Sequence, residues 1–286
     1  MVKTVFLTGA TGFLGSHTRE ALKNSGWDVI CCVRRNAPAG FEHTTIMCDL
    51  NNPEEIISLK NHYHAEAIVH LACHVGFDGS TDEQLFVPNV LATGCIAYLA
   101  QAWKARLIFT SGAIVHGIKK EKIEKWCPVL PDTAYGRSKA HGEELIVASG
   151  VEHAILRIAG IFGYDGPKHL GLNRAIDDAF NGIRPIQRGP GKALRNYIYV
   201  RDAAKAIASV LENNISGVHL LSGSEILSVS QMLETLCEIL LPGKTPLIKE
   251  GAEAANQVVS PSPELPPTRT FREALLDILK MKRLCG

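Results

Sequence analysis

The sequence predicts an α/β protein built around a doubly wound parallel sheet. Two observations carry that expectation. Short β-branched or continuously apolar runs alternate with helical stretches as far as residue 158, the pattern of strands covered on both faces by helices. The first of these strands leads into Thr8-Gly9-Ala10-Thr11-Gly12-Phe13-Leu14-Gly15, a glycine-rich turn before a helix. From Tyr164 onward the chain becomes richer in Gly and Pro, and its pattern mixes with that of the core.

Composition narrows the classes. The 286 residues are 46% apolar and 21% charged, enough to bury a sizeable core in one large domain or two. A net charge of +1 leaves no electrostatic footprint for nucleic acid or an anionic membrane surface. No apolar run is read as a membrane span, and the N-terminus has no signal-peptide pattern, so a cytoplasmic location is expected. The eight cysteines show no Cys-x-x-Cys spacing and read as reduced core residues. The eleven histidines form no metal pattern, and no metal site is expected.

In chain order, residues 2–8 read as a buried strand and 16–24 as a helix. Gly9, Gly12 and Gly15 permit a tight turn, close approach of the backbone to a pyrophosphate, and close packing of helix on strand. The N–H groups of the following helix start, around Thr11, Phe13 and Leu14, can then meet phosphate oxygens. A second strand, 28–33, ends in Arg34-Arg35, where an NAD site usually places an acid for the ribose 2′-hydroxyl. Two guanidinium groups suit a 2′-phosphate instead, which points to NADP, with NAD as the alternative. Asp49 and Leu50, after the strand 45–48, are placed near the adenine. A strand over 67–72 ends in His70-Leu71-Ala72, putting Leu71 and Ala72 beside the cofactor. Residues 83–103 read as a long helix interrupted near Pro88, and 106–110 as a strand leading to Thr110-Ser111-Gly112.

Residues 132–148 read as a helix, with Asp132 or Thr133 as cap and Gly150 past its end. Within it Tyr135 and Lys139 stand four residues apart, on one face. A free phenol has a pKa of about 10, and a nearby ammonium lowers it. Such a pair can exchange a proton with an alcohol or ketone. Downstream, 152–158, 197–200 and 218–221 read as strands. Residues 170–181, 202–212, 228–240 and 271–280 read as helices, with 261–267 extended.

TGATGFLG (8–15), HLA (70–72), YGRSK (135–139) and LRIAGIFG (156–163) stand in the order of the short-chain dehydrogenase/reductase superfamily. The stretch RGPGKALRNYIYVRDAAKAI (188–207) resembles its extended branch, the NAD(P)-dependent nucleotide-sugar epimerases, dehydratases and reductases. The resemblance implies a Rossmann domain over 1–163, with 197–212 packing back on it, and a substrate-binding lobe over 164–286. It makes Tyr135 the acid/base, and Lys139 the residue that bonds the nicotinamide ribose and depresses the Tyr135 pKa. It brings Arg195 to the substrate diphosphate, with a surface salt bridge as the competing role. Ser111, Gly112 and His74 complete the expected substrate side. A homodimer through the helices 83–103 and 133–149 is also implied.

Four positions depart from the family pattern. Gly112 stands where relatives carry the Ser or Thr whose hydroxyl binds the reacting oxygen, so Ser111, Thr110 or a backbone N–H must serve instead. Ala113 and Ile114 replace the Asp-Glu pair of the 4,6-dehydratases, which disfavours elimination of water. His116 replaces a common tyrosine. The expected activity is therefore NADPH-dependent reduction of a 4-keto-nucleotide-sugar. The alternatives are a nucleotide-sugar 4-epimerase, a reductase of small ketones or aldehydes, and a non-catalytic dinucleotide-binding regulator.

Overall fold

The computed structural model describes residues 3–35, 41, 43–76 and 79–285, with side chains through 283. Val2, expected to open the first strand, lies outside the described residues. One seven-stranded sheet holds β1 (Thr4–Thr8), β2 (Asp28–Val33), β3 (Thr44–Met47), β4 (Ala67–His70) and β5 (Arg106–Gly112), with the strands His153–Ile158 and Gly217–Leu221. Their order across the sheet is Gly217–Leu221, His153–Ile158, β5, β4, β1, β2, β3. β1 pairs in parallel with both β2 and β4, as do β2 with β3 and β4 with β5. The chain thus leaves β1 toward one edge, then returns to add β4 on the other side. That reversal opens a crevice at the carboxyl ends of β1 and β4, where open α/β sheets take ligands.

Position in the sheet explains the strand sequences. Val5, Phe6, Leu7 and Thr8 of β1 are wholly buried, as is every residue of β4, so these strands are apolar without alternation. β3 lies at the edge and turns only Ile46 inward. One core forms under Phe6, Ile68, Ile96, Leu99, Leu107 and Ile155, all fully buried. Each such side chain stabilises the fold by roughly 1.5–3 kcal/mol relative to exposure.

The first helices are α1 (Phe13–Asn24), α2 (Pro53–Ser58), α3 (Asp82–Leu85), α4 (Ala92–Trp103) and α5 (Ala134–Ser149). α3 and α4 are joined by a π-helical turn, Phe86–Leu91, that contains Pro88. Proline has no N–H and crowds the preceding turn, and the wider π turn absorbs both. The helical run Asp82–Trp103 is long and apolar enough to cross a membrane by length and composition, which corrects the expectation that no run approaches that length. Its apolarity has a local cause: 56% of that window is buried in the protein, and Trp103 meets Phe6 edge-on at 5.5 Å. At α5 the cap is Thr133, whose Oγ1 accepts from Gly136 N at 3.0 Å. Asp132 is drawn off to Ile118 N, at 3.0 and 3.2 Å. Gly150 ends the helix at φ +70°.

The chain divides into two compact units, Met1–Ile118 with Cys127–Arg157 and Ala204–His219, and Lys119–Trp126 with Ile158–Ala203 and Leu220–Gly286. The further helices are α6 (Gly171–Phe180), α7 (Val200–Glu212), α8 (Val229–Leu240) and α9 (Phe271–Cys285). The second unit also holds small two-stranded pairs, among them Leu194–Arg195 antiparallel to Leu227–Ser228. Buried Asn196 secures that unit, donating to Val259 O and accepting from Val259 N at 2.9 Å.

Candidate active site

The glycine turn follows β1 directly. Gly9 holds φ +69°, and a methyl group there would stand 2.8 Å from Ala72 N. A methyl at Gly15 would stand 1.9 Å from Gly9 O, so the helix start lies flat against the turn. Gly12 N donates to Gly9 O at 3.0 Å. No side chain caps α1, and its first turn carries no acid. Thr11 and Gly12 are exposed, and a methyl at Gly12 would meet only Gly9 O, at 3.3 Å. The turn therefore presents uncapped N–H groups and a positive helix end behind a surface kept bare of side chains. This fits a pyrophosphate.

The other expected cofactor residues gather at the same carboxyl edge of the sheet. Leu71 and Ala72 follow β4, and Ala72 N donates to Thr8 Oγ1 at 3.2 Å. Arg34 and Arg35 follow β2 and are exposed. Asp49 follows β3, where its Oδ1 accepts from Asn51 N and Nδ2, both at 3.0 Å. Leu50 is partly buried against the core.

Tyr135 and Lys139 lie on the first turns of α5. Lys139 is 3% exposed, its Nζ 4.2 Å from the centre of the Phe109 ring. Burial holds its pKa below the ordinary lysine value, against the opposing pull of Cys73 and Glu143. Tyr135 is half-buried, and the expectation that Lys139 depresses its phenol is corrected. The phenol is pushed well above its usual value, first by burial and then by Cys73, whose Sγ lies 3.7 Å from the hydroxyl. Burial disfavours a charged phenolate, and the neighbouring sulfur acts in the same direction. Tyr135 in this geometry keeps its proton.

The oxygen expected of Ser111 is present but turned inward. Ser111 is 5% exposed, and its Oγ has no hydrogen-bond partner among the described residues. Thr110 Oγ1 donates to His70 O at 3.3 Å. Gly112 ends β5, partly exposed. His74 is exposed, its backbone held on both sides by Asn89: His74 N donates to Asn89 Oδ1 at 2.7 Å, and Asn89 Nδ2 donates to His74 O at 2.8 Å. Asn89 Nδ2 also reaches Ser138 Oγ at 2.9 Å, and Ser138 Oγ donates to Tyr135 O at 2.8 Å.

Cys73, Asn89 and Ser138 are the site residues that motif reading missed. A residue one place beyond HLA and another one place beyond Pro88 carry no local signal that they will meet on α5. His70 is a strut, with Nδ1 2.7 Å from Thr8 Oγ1 and Nε2 3.1 Å from Thr93 Oγ1. Burial, reinforced by Lys139, pushes its pKa down to about 3, so it stays neutral. His116 also serves structure. Its Nε2 lies 3.2 Å from Arg157 Nη1 and its Nδ1 2.9 Å from Pro128 O, while Arg157 donates to the buried Glu143 of α5 at 2.6 Å.

In the second unit, Arg195 Nη1 donates to Leu194 O at 2.8 Å and to Ala255 O at 2.7 Å. It has no carboxylate partner among the described residues.

A doubly wound sheet, a bare glycine turn at its switch point and a Tyr–Lys helix beside it define a dinucleotide-dependent enzyme of the extended short-chain dehydrogenase/reductase type. The chain belongs to the NAD dependent epimerase/dehydratase family, whose model matches residues 5–222. It is 27% identical to a putative UDP-glucose 4-epimerase of Methanocaldococcus jannaschii over 252 residues, 81% of each chain. It is 23% identical to a probable low-salt glycan biosynthesis reductase of Haloferax volcanii over 246 residues, 82% of this chain and 79% of the relative. Among solved structures, MoeE5 in complex with UDP-glucuronic acid and NAD shares the fold with a TM-score of 0.84, at 23% identity over 99% of this chain and 100% of the other.

Proposed function

We propose that the protein is an NADPH-dependent reductase of a 4-keto-nucleotide-sugar. The observation that carries this reading is the exposed Arg34-Arg35 pair, directly past β2 at the edge that holds the glycine turn. Two guanidinium groups suit a ribose 2′-phosphate, and no acid stands in their place. A reductase must exchange its cofactor at each turnover, and the cellular supply of NADPH serves such reductions.

In this reading the first unit binds the dinucleotide and the second the nucleotide-sugar. Gly9, Gly12, Gly15 and the α1 N-terminus hold the pyrophosphate. Leu71 and Ala72 line the path toward the reacting end, and Asp49 and Leu50 the adenosine end. The nicotinamide supplies the hydride when bound. Tyr135 delivers a proton to the oxygen of the reduced carbon, for which a phenol that keeps its proton is suited. Lys139, buried beside it, bonds the nicotinamide ribose and offers positive charge as the phenolate forms. Arg195 meets the sugar-nucleotide diphosphate. Ser111 Oγ, buried without a partner among the described residues, is the hydroxyl nearest in sequence to the one that Gly112 lacks.

Nucleotide-sugar 4-epimerization is the second reading. The likeness to the M. jannaschii relative, and the NAD that MoeE5 holds, favour it. A cytoplasmic homodimer accompanies either reading, supported by the outward apolar residues Tyr98 of α4 and Leu145 and Val147 of α5. The test is consumption of NADPH, with NADH beside it, against a panel of 4-keto-6-deoxy nucleotide sugars. Consumption with one sugar and preference for NADPH supports the reductase. Interconversion of 4-hydroxyl epimers without net consumption moves the assignment to the epimerase.

A further inference from the structure

Tyr135 has lost one neighbour and gained another. Gly112 has no hydroxyl to offer, and Ser111 Oγ is buried without a partner among the described residues. The polar side chain that does reach the Tyr135 hydroxyl is Cys73, at 3.7 Å, and it is the phenol's sole hydrogen-bonding partner among the described residues. The contact is braced on both sides. Asn89 grips His74, next to Cys73, through both its N–H and its carbonyl, at 2.7 and 2.8 Å. The same Asn89 reaches Ser138, which in turn bonds Tyr135 O, at 2.9 and 2.8 Å. One buried amide therefore ties the chain on either side of the sulfur–phenol contact. Those bonds fix the backbone on either side of the contact, and leaving the buried groups unpaired would cost roughly 1–3 kcal/mol each.

We propose that Cys73 is a positioning residue for Tyr135, its sulfur accepting the phenol hydrogen bond and so holding the proton on Tyr135, aimed along one direction, until it is transferred. This rests on the proposed role of Tyr135 as proton donor and deepens it. The sulfur is a soft, weak acceptor, so it orients the O–H without competing strongly for the proton at the moment of transfer. The other titratable groups around the pair are Lys139 on the same helix, which Cys73 and Glu143 both influence, and neutral His70 beneath Lys139. Glu143 is bound to Arg157 and balanced by it.

The test reads the phenol directly and needs no substrate. Tyrosinate absorbance is followed through an alkaline titration of the full chain, and the step missing in Tyr135→Phe is assigned to Tyr135. In Cys73→Ala that step should move to lower pH, by about three- to tenfold in the ionisation constant, the size of one modest hydrogen bond. Cys73→Ser, which keeps an acceptor in place and guards against a misfolded alanine variant, should restore most of the shift. A Tyr135 step at the same pH in all three proteins overturns the proposal, as does one that moves equally in Ala and Ser variants. If the step moves as expected but no keto-sugar is turned over, the positioning role stands and the reductase reading falls. Where turnover is found, Cys73→Ala should lower kcat with little change in KM. A change confined to KM counts against positioning of the proton.

Discussion

Replacing Gly15 and Gly12 of the turn, one at a time, by alanine separates the geometric demands of the fold from those of the cofactor. At Gly15 the new methyl would stand 1.9 Å from Gly9 O and 2.8 Å from Gly9 C. The carbonyl must retreat by about 1.5 Å to reach ordinary contact, and α1 cannot tilt away without leaving β1. Such overpacking costs about 3 kcal/mol, and it also displaces the N–H groups that face the phosphates. At Gly12 the methyl meets only Gly9 O at 3.3 Å, at an exposed position, so the folded state should lose less than about 1 kcal/mol. That methyl nevertheless lies on the bare surface of the turn, and NADPH affinity should fall at least about tenfold, or 1.4 kcal/mol. Gly150, at φ +70° with nothing within 4 Å, is the control: alanine there should cost about 1 kcal/mol of stability through backbone strain and leave cofactor binding untouched. Urea denaturation gives the first quantity and quenching of protein fluorescence by NADPH the second. Wild-type NADPH affinity in a folded Gly12→Ala protein would falsify the assignment of this turn to the pyrophosphate.

Further outcomes follow from other parts of the first unit. Arg34→Ala should weaken NADPH by about three- to tenfold more than NADH, a discount from the full value of a charged hydrogen bond because Arg34 is exposed; equal losses for the two cofactors remove the 2′-phosphate argument. His70, neutral with its pKa held near 3 against an unfolded value of 6.5, makes stability present above pH 6.5 and progressively lost as pH falls from there toward 3. Between pH 7 and pH 5 that loss amounts to about 2 kcal/mol, and it should shrink in His70→Asn when both proteins are unfolded in urea at the two pH values. Arg157→Met leaves the Glu143 carboxylate buried at the back of α5 and should cost about 3–5 kcal/mol, whereas the double change with Glu143→Leu should recover most of it. A double variant no more stable than the single one would mean that the charge was never the cost.

The linear chain already determined the doubly wound sheet, the glycine turn and the Tyr–Lys helix, because each is a local matter. Residues 4–8 are apolar without alternation because both faces of that strand are covered, and period is legible in sequence. Glycine at 15 reports backbone crowding within one turn, and Tyr135 and Lys139 share a face through helix geometry alone. Thr133 rather than Asp132 as the cap, and the π turn at Pro88, lay one residue or one hydrogen bond beyond that reach. What the tertiary structure decided was the chemistry of the site. A tyrosine four residues from a lysine reads as a phenol with a lowered pKa, yet burial and the sulfur of Cys73, 62 positions away along the chain, push it up. The contacts of Asn89, Ser138 and Cys73, the inward turn of Ser111, and the clasp of His116 on Arg157 join residues far apart in sequence. Desolvation and charge act through space, so the sign of a pKa shift belongs to the folded molecule and not to the spacing of its residues.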